Sequence, residues 1–282
     1  MPRMSMDAGR TMPGATDRAP LSERMERIRQ WYDENAARFA DASTVEVVFL
    51  GLDESQQDRL NRFKLWALER GGIVTLQEQR VLEFGCGHGR MALQMPGWKE
   101  YVGVDFSERL VRMGEERLSR AGLSDRARLV ASDCLSFEGP AEHFDVVGSL
   151  GMFPYVDDPE AVLRKMVHHL RPGGTLFVDG YLSSPVYNPI RRLRWLFAKP
   201  TGGTNRMYTE RDMRAMFQRS GLTDMRFIVR EYPFLSSLYA RRGWSWPLRL
   251  RNALARMSSL NIFATDFFAI GTKPARPVSS RA

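Results

Sequence analysis

The chain has 282 residues, of which 43% are hydrophobic, so it can bury the core of one large domain, with or without an embedded cap. No run of about 18 apolar residues occurs, which argues against a membrane-spanning helix, and residues 1–20 lack the apolar stretch of a secretory signal. Residues 1–181 carry a net charge of −5 and residues 182–282 a net charge of +13, which indicates either an anionic partner or a solvated basic surface in the C-terminal third.

The N-terminal part predicts a disordered tail, residues 1–20, followed by a helical lid over residues 21–72. Within the lid we expect one helix over 22–40, with Ser22 as its N-cap, and a second over 53–70.

After the lid, the sequence pattern predicts strands that alternate with helices. Short apolar runs predict strands over 80–84, 101–105, 127–131, 144–149 and 175–180, and helices over 107–121 and 159–170. The sequence Arg171-Pro172-Gly173-Gly174 predicts a break between the last of these helices and the fifth strand. A helix over 209–220 and strands over 225–231 and 261–271 complete the pattern.

This order predicts an α/β fold: a doubly wound, seven-stranded, mostly parallel sheet with helices on both faces, N-terminal lid helices and a C-terminal cap insert. The expected domain organisation is a core at 73–182, a cap insert at 183–208, a C-terminal part of the core at 209–273 with a basic, Trp-containing insert at 232–260, and a disordered tail at 274–282.

A glycine-rich loop, Gly85-Cys86-Gly87-His88-Gly89, leaves the first strand and enters a helix. Glycines let the backbone turn sharply and approach a ligand closely. The dinucleotide fingerprint GxGxxG requires glycine at position 90, where this chain has Arg90. The preceding acidic residue, Glu83, would repel a pyrophosphate. The loop therefore favours a cationic ligand without phosphate.

Asp105 lies at the end of the second strand, where a carboxylate can accept hydrogen bonds from both hydroxyls of a ribose. Glu83-Phe84-Gly85-Cys86-Gly87-His88-Gly89 together with Gly103-Val104-Asp105 resembles the first two motifs of class I S-adenosylmethionine (SAM)-dependent methyltransferases. The turn at 170–174 is similar to the family's LxPGG turn, and residues 31–39 are similar to its lid helix. The resemblance covers residues 75–182 well and the flanks more loosely.

The resemblance implies SAM as cofactor and S-adenosylhomocysteine as product. It also implies contacts of Asp133 with the adenine amino group, of Phe106 and Ser107 with the adenine ring, and of Ser149 and Leu150 with the methionine part. Core packing remains the alternative role for Tyr32. The implied cofactor-binding residues are Tyr32, Glu83, Gly85, Cys86, Gly87, Gly89, Asp105, Phe106, Ser107, Asp133, Cys134, Ser149 and Leu150.

The implied reaction is in-line displacement at a methyl carbon, which depends on holding the acceptor close to the methyl group and excluding water. A base is required only if the acceptor loses a proton. The catalytic residue stays unknown, and the weak candidates are Tyr155, Asp179, Tyr181 and Tyr208. The two cysteines, Cys86 and Cys134, form no metal-type CxxC pair, so we expect no metal and reduced thiols in a cytoplasmic protein.

The sequence after the fourth strand, Ser149-Leu150-Gly151-Met152, lacks the [DN]PP[YF] motif of nucleic-acid amino-methyltransferases, so nucleic acid is an unexpected partner. A small-molecule acceptor of an O- or N-methyltransferase is expected. Residues 189–199 and 244–257 mix arginine with tryptophan and leucine, which suits either contact with the inner face of a membrane and an anionic, lipid-linked or polysaccharide acceptor, or a cap that packs on the sheet. A SAM-binding protein without catalytic activity is the third interpretation, and the oligomeric state stays open.

Overall fold

The computed structural model describes residues 21–36, 65, 68, 69, 74–186, 188, 206–231, 246–254 and 264–276. These residues are organised around a mixed sheet of eight strands. The strands are β1 (Arg80–Phe84), β2 (Glu100–Asp105), β3 (Ala127–Ala131), β4 (Phe144–Ser149), β5 (Leu170–Leu182), β6 (Met207–Tyr208), β7 (Thr223–Glu231) and β8 (Asp266–Thr272).

Three of the described helices follow a residue whose side chain accepts a free backbone N–H group of the first turn. Ser107 and Asp158 each accept a hydrogen bond from the backbone N–H three residues ahead, and Thr209 forms a capping box with Asp212. The described helices are α1 (Leu21–Asn35), α2 (Arg90–Gln94), α3 (Glu108–Arg120), α4 (Pro159–His169), α5 (Glu210–Arg219) and α6 (Trp246–Leu254), with a 3-10 helix at Phe153–Tyr155.

The strand order is β3-β2-β1-β4-β5-β8-β7, with the two-residue β6 pairing with β5. Strands β1 to β5 run parallel along this path, and β8 is antiparallel to both β5 and β7. The order reverses between β1 and β4, and in open α/β sheets ligands bind at the carboxyl ends of the strands next to such a reversal. The topology therefore directs attention to the residues that follow β1 and β4.

Two hydrophobic clusters cover the two faces of the sheet, because successive strand residues point to opposite sides. One face, with Leu82 and Phe84, packs against apolar residues of α4 and α5. The other face, with Val81 and Tyr101, packs against α2 and α3. The doubly wound, mostly parallel sheet of the sequence prediction is confirmed, with seven strands on the main path and β6 added beside β5.

The predicted limits of β1, β3 and β4 match the structure, β2 begins one residue earlier than predicted, and α3 is one residue shorter than predicted at each end. The helix before Arg171 ends at His169, one residue before the predicted limit, but the predicted start of the fifth strand at residue 175 was wrong, because β5 already begins at Leu170, which pairs with Phe144. The segment bulges within the strand: the register shifts before Val146 pairs with Thr175, and Gly173 adopts φ 75 while its N–H donates to the Lys273 carbonyl. Helix α1 ends at Asn35, five residues before the predicted end, and residues 37–40 lie outside the described residues.

Several predicted segments cannot be compared with the structure. The tail at 1–20 and most of the tail at 274–282 lie outside the described residues. So do most of the helix at 53–70, most of the cap insert at 183–208 and much of the insert at 232–260. Among the helices that the structure describes, none is both long and apolar enough to cross a lipid bilayer.

Candidate cofactor and active site

A cavity opens at the carboxyl ends of the central strands, next to the reversal of strand order. One wall consists of residues at or just after the ends of β1, β2 and β3, and we call it the β1–β2 wall (Glu83, Gly85–His88, Arg90, Asp105, Phe106 and 132–134). The opposite wall, called the β4–β5 wall, consists of residues after β4 (150–156), the end of β5 (179–181) and Asp266 of β8. Helix α1 adds Met25, Ile28 and Tyr32.

The glycine loop supplies the floor of the β1–β2 wall. Gly85 and Gly87 have φ values of 75 and 53, a conformation that residues with a side chain rarely adopt. A Cβ added at Gly85 would lie 2.4 Å from the Met152 Cβ, whereas one added at Gly87 would meet nothing within 4 Å. Glycine is therefore required at position 85 for both backbone conformation and close approach, and at position 87 for conformation alone.

Asp105 connects the loop after β1 to the end of β2. Its carboxylate accepts hydrogen bonds from the Gly87 N–H at 2.8 Å and from the Ser107 N–H at 2.9 Å. Burial raises the pKa of Asp105 to about 6, although both backbone N–H groups act to lower it. Each carboxylate oxygen retains a free lone pair, so Asp105 can still accept hydrogen bonds from a ligand in the cavity.

Glu83 is the second buried carboxyl group of this wall, with 3% of its surface exposed. Its Oε2 accepts a hydrogen bond from the Tyr101 hydroxyl. Burial raises the pKa of Glu83 to about 7, and the Tyr101 hydroxyl and Arg90 act against that rise. The wall thus holds two carboxyl groups that a cation in the cavity would stabilise in their ionised form.

The far end of the β1–β2 wall is more apolar. The Phe106 ring lies 6.0 Å from the Tyr32 ring, measured between centroids. Asp133 accepts a hydrogen bond from the Leu135 N–H at 2.9 Å, and burial raises the pKa of the neighbouring Cys134 thiol to about 12. Rings beside one exposed carboxylate suit a flat heteroaromatic group that donates hydrogen bonds.

Helix α1 is attached at both of its ends to segments that border the cavity. Near its start, Arg24 Nη1 forms an ion pair with Asp157 and donates to the Tyr155 carbonyl at 3.2 Å. Near its end, Asp33 accepts from the Ser107 hydroxyl at 2.5 Å. Since these contacts lie on opposite walls, α1 bridges the segments after β2 and β4.

The β4–β5 wall brings together three of the four weak catalytic candidates: Tyr155, Asp179 and Tyr181. Asp179 accepts a hydrogen bond from the Gly151 N–H at 2.7 Å, which fixes the turn after β4 to the end of β5. The fourth candidate, Tyr208, lies elsewhere: it lines a separate groove beside Asp212, and its ring packs on Phe153 at 5.4 Å. Burial raises the pKa of Tyr208 to about 12.

Ten of the predicted cofactor-binding residues line the cavity, and three lie behind its walls. Gly89 faces Leu129, with which an added Cβ would be in ordinary contact at 3.4 Å. Ser107 is fully buried as the N-cap of α3, and Ser149 is buried with no hydrogen-bond partner for its hydroxyl among the described residues. The ten are Tyr32, Glu83, Gly85, Cys86, Gly87, Asp105, Phe106, Asp133, Cys134 and Leu150.

Sequence reasoning missed several residues that line the cavity. Met25 and Ile28 precede Tyr32 at helical spacing, so a helical-face argument from Tyr32 would have found them. His88 and Arg90 belong to the glycine loop and its helix, next to the predicted residues Gly87 and Gly89. Asp266 had no such signal, because its place beside Tyr181 depends on the antiparallel pairing of β8 with β5.

Known proteins resemble this chain in sequence and in fold. A family model described as a methyltransferase domain matches residues 23–226. A 27-O-demethylrifamycin SV methyltransferase of Amycolatopsis mediterranei is 32% identical over 117 residues, 40% of this chain and 43% of that protein. A ubiquinone biosynthesis O-methyltransferase of Pseudomonas putida is 29% identical over 171 residues, 60% of this chain and 65% of that protein.

The matched part of the chain thus spans less than two thirds of either relative. Among solved structures, a SAM-dependent methyltransferase of Thermotoga maritima, described as a possible histamine N-methyltransferase, superposes with a TM-score of 0.55. It is 18% identical, and the match covers 86% of this chain and 99% of that one. At this identity the likeness shows a shared fold.

Proposed function

Because this chain belongs to the family of class I SAM-dependent methyltransferases, we propose that it transfers the methyl group of SAM to an oxygen or nitrogen atom of a small molecule. The observation that carries the proposal is the placement of Glu83, Gly87 and Asp105 together on the β1–β2 wall, where Asp105 accepts the Gly87 N–H.

The chemistry of the β1–β2 wall fits SAM. When bound, SAM supplies a methyl group on a positively charged sulfur. The buried carboxyl group of Glu83 suits the ammonium group of its methionine part, and the carboxylate of Asp105 suits ribose hydroxyls. Phe106, Tyr32 and Asp133 would hold the adenine ring and its amino group. A nucleotide phosphate would instead face two carboxyl groups, which disfavour it.

The β4–β5 wall is the proposed site of the acceptor. Its apolar residues, Met152, Pro154 and Val156, would exclude water, and Tyr155 and Tyr181 offer hydroxyl groups to orient a polar acceptor. The wall carries two carboxyl groups, Asp179 and Asp266. Asp179, which the Gly151 N–H connects to the turn after β4, is the one proposed to receive a proton from an acceptor hydroxyl. One named relative is an O-methyltransferase, which favours oxygen over nitrogen as the acceptor atom.

The direct test uses SAM labelled in its methyl group, incubated with fractionated host extract, followed by identification of the labelled product. The matched control is Asp105→Ala, which we expect to abolish labelling while circular dichroism shows a folded protein. Wild-type protein that binds no SAM by calorimetry, and labels no compound, would refute the proposal. Tight SAM binding without transfer to any fraction would instead identify a binding protein without catalytic activity.

A membrane-bound or lipid-linked acceptor is the second candidate, and an exposed face of α6 favours it. Trp246 and Leu250, four residues apart, are 45% and 42% exposed, and Arg249 beside them is also exposed. With a net charge of +13 over residues 182–282, such a face suits an anionic membrane surface. Its companion segment, 189–199, lies outside the described residues. This proposal places the enzyme in the cytoplasm, in reversible contact with the inner face of a membrane.

Vesicle co-sedimentation tests the second candidate. We expect binding to vesicles that contain an anionic phospholipid, weaker binding at high salt because charge attraction is screened, and loss of binding in Trp246→Ala/Leu250→Ala. The matched control Leu135→Ala changes another exposed apolar residue, 44% exposed, far along the sequence. Equal sedimentation with neutral and anionic vesicles, or none at all, would leave the soluble acceptor as the candidate.

A further inference from the structure

The hydrogen bond between Tyr101 and Glu83 connects two neighbouring strands beneath the cavity. Strands β1 and β2 pair with Val81 opposite Tyr101 and Glu83 opposite Gly103. Tyr101 and Glu83 are therefore two positions apart on the same face of the sheet. Because Gly103 has no side chain, nothing on β2 intervenes directly beside Glu83.

Tyr101 is fully buried, and its ring packs against Trp98 at 5.5 Å between centroids. Its hydroxyl donates to Glu83 Oε2. A phenylalanine would fill the same apolar space, so packing alone does not explain a hydroxyl at this depth, and burying one without a partner is unfavourable. The hydroxyl serves Glu83, and Glu83 lines the cavity.

Two opposing effects act on the protonation of Glu83. Burial disfavours its ionised form, and the hydrogen bond from Tyr101 favours it, so that its pKa lies at about 7. The other charged or titratable groups that act on Glu83, or on which it acts, are Arg90 of α2, Asp105 of β2, Asp179 of β5 and the Cys86 thiol of the loop. Among the residues that the structure describes, Arg90 and Tyr101 are the groups that favour the carboxylate.

We propose that Tyr101 is a positioning residue, which holds the Glu83 carboxylate against the ammonium group of the cofactor, and that cofactor binding releases the proton of Glu83 to solvent. The inference rests on the proposed cofactor, and goes beyond it by coupling affinity to pH through a residue outside the cavity. The proton balance is simple: the Glu83 O–H bond breaks, the proton leaves to water, and the ammonium keeps its own protons.

The test is calorimetric titration of the protein with SAM between pH 5.5 and pH 7.5, in pairs of buffers that differ in ionisation enthalpy. Over this range an α-amino group, with an ordinary pKa of about 7.7 to 8.0, stays mostly protonated. Wild-type protein should release about half a proton per SAM bound at pH 7, since the pKa of Glu83 is about 7. Glu83→Gln should release about half a proton less at that pH.

Tyr101→Phe separates positioning from packing. Without the hydroxyl, ionisation of Glu83 becomes harder, so we expect the midpoint of the pH dependence of affinity to rise by roughly one unit, beyond the upper limit of the titration. The affinity of Tyr101→Phe for SAM should therefore still be rising steeply at pH 7.5, where that of wild type is levelling off. At pH 7 the affinity should fall roughly tenfold, as for loss of a hydrogen bond to a charged group. A purely structural role would lower affinity equally at every pH and leave the midpoint in place.

The double variant Tyr101→Phe/Glu83→Gln is the matched control. Asp105 also titrates in this range, with a pKa of about 6, but it is present in every variant and cancels in the comparison. Tyr101→Phe should have no effect on the pH dependence once Glu83 is glutamine. An unchanged midpoint in Tyr101→Phe, or equal proton release in wild type and Glu83→Gln, would overturn the inference while leaving the methyltransferase proposal intact. Absence of any SAM binding by wild type would refute the proposed function itself.

Discussion

The two walls of the cavity are built from very different stretches of chain. The β1–β2 wall comes from residues 83–134, and its polar groups are fixed by short contacts between neighbouring strand ends, such as Asp105 with Gly87. The β4–β5 wall gathers residues 150–156, 179–181 and Asp266, which meet only through long-range strand pairing. A motif can encode the first wall, whereas the second depends on the whole topology, which is why the cofactor is easier to infer than the acceptor.

The largest expected effect on the β1–β2 wall is that of Gly85→Ala. The added Cβ would lie 2.4 Å from the Met152 Cβ and force a left-handed conformation on alanine, so the loop must move. We expect SAM affinity to fall about a hundredfold or more, equivalent to about 2.7 kcal/mol, by calorimetry. The control is Gly122→Ala, with φ 67 and open space around its Cβ, which should cost some stability and leave affinity unchanged. Comparable affinity in Gly85→Ala and wild type would contradict the assignment of the loop.

The buried carboxyl group of Glu83 in the β1–β2 wall lowers the free energy of unfolding when it is ionised. Glu83 ionises near 4.5 in the unfolded chain and near 7 in the folded protein. Between these values the folded state holds a proton that the unfolded state has lost, so the free energy of unfolding falls as the pH rises from 4.5 to about 7. Glu83→Gln should therefore stabilise the ligand-free protein by about 1–3 kcal/mol at pH 8 and much less at pH 4.5.

Urea unfolding of wild type and Glu83→Gln at both pH values measures this effect. Asp145→Asn is a control of opposite sign. Burial acts to raise the pKa of Asp145, but hydrogen bonds from Arg80 and Arg171 bring it below its usual value, so its charge stabilises the fold at pH 8. Asp145→Asn should have a lower free energy of unfolding than wild type at pH 8. Equal destabilisation by both variants would mean that Glu83 is a structural ion rather than a group kept for a ligand.

For the β4–β5 wall we expect a variant that lowers kcat and leaves SAM affinity unchanged. Asp179→Asn keeps an oxygen that can accept the Gly151 N–H but removes the charge. If this group receives the proton of the acceptor, kcat should fall at least about tenfold with SAM affinity unchanged. Tyr208→Phe, in the separate groove, should alter neither quantity. A fall in SAM affinity with kcat intact would show that the two walls do not divide the work between cofactor and acceptor.

The smallest expected effect concerns the helix that bridges the walls. Arg24→Ala removes the contacts of α1 with Asp157 and the Tyr155 carbonyl, and we expect S-adenosylhomocysteine to dissociate a few-fold faster in stopped-flow measurements. Arg29→Ala is the matched control, because within the described part of the chain Arg29 forms its ion pairs with Glu26 and Asp33 of the same helix. Identical dissociation rates in both variants would mean that α1 does not limit exchange.

Much of the sheet could be predicted from the sequence because short apolar runs bounded by polar residues define β1, β3 and β4 directly. The start of β5 could not be predicted, because residues 171–174 contain proline and glycine, which usually interrupt a strand. A bulge keeps them in β5, and that bulge depends on pairing with β4 and on the contact with Lys273. Tyr208 is a catalytic candidate in the sequence because it follows an insert. The pairing of β6 with β5 places it in a groove separate from the cavity. Tyr101 gave no signal, because its partner is set by strand register.

Cys86 and Cys134 both border the cavity in which the proposed methyl donor would bind. A thiolate is a strong nucleophile, and a thiol is a weak one. Burial raises the pKa of Cys134 to about 12 and that of Cys86 well above its ordinary value, so both sulfurs stay protonated at neutral pH. Burial therefore lowers the fraction of reactive thiolate at both cysteines below that of an ordinary thiol, which disfavours their methylation by the proposed methyl donor.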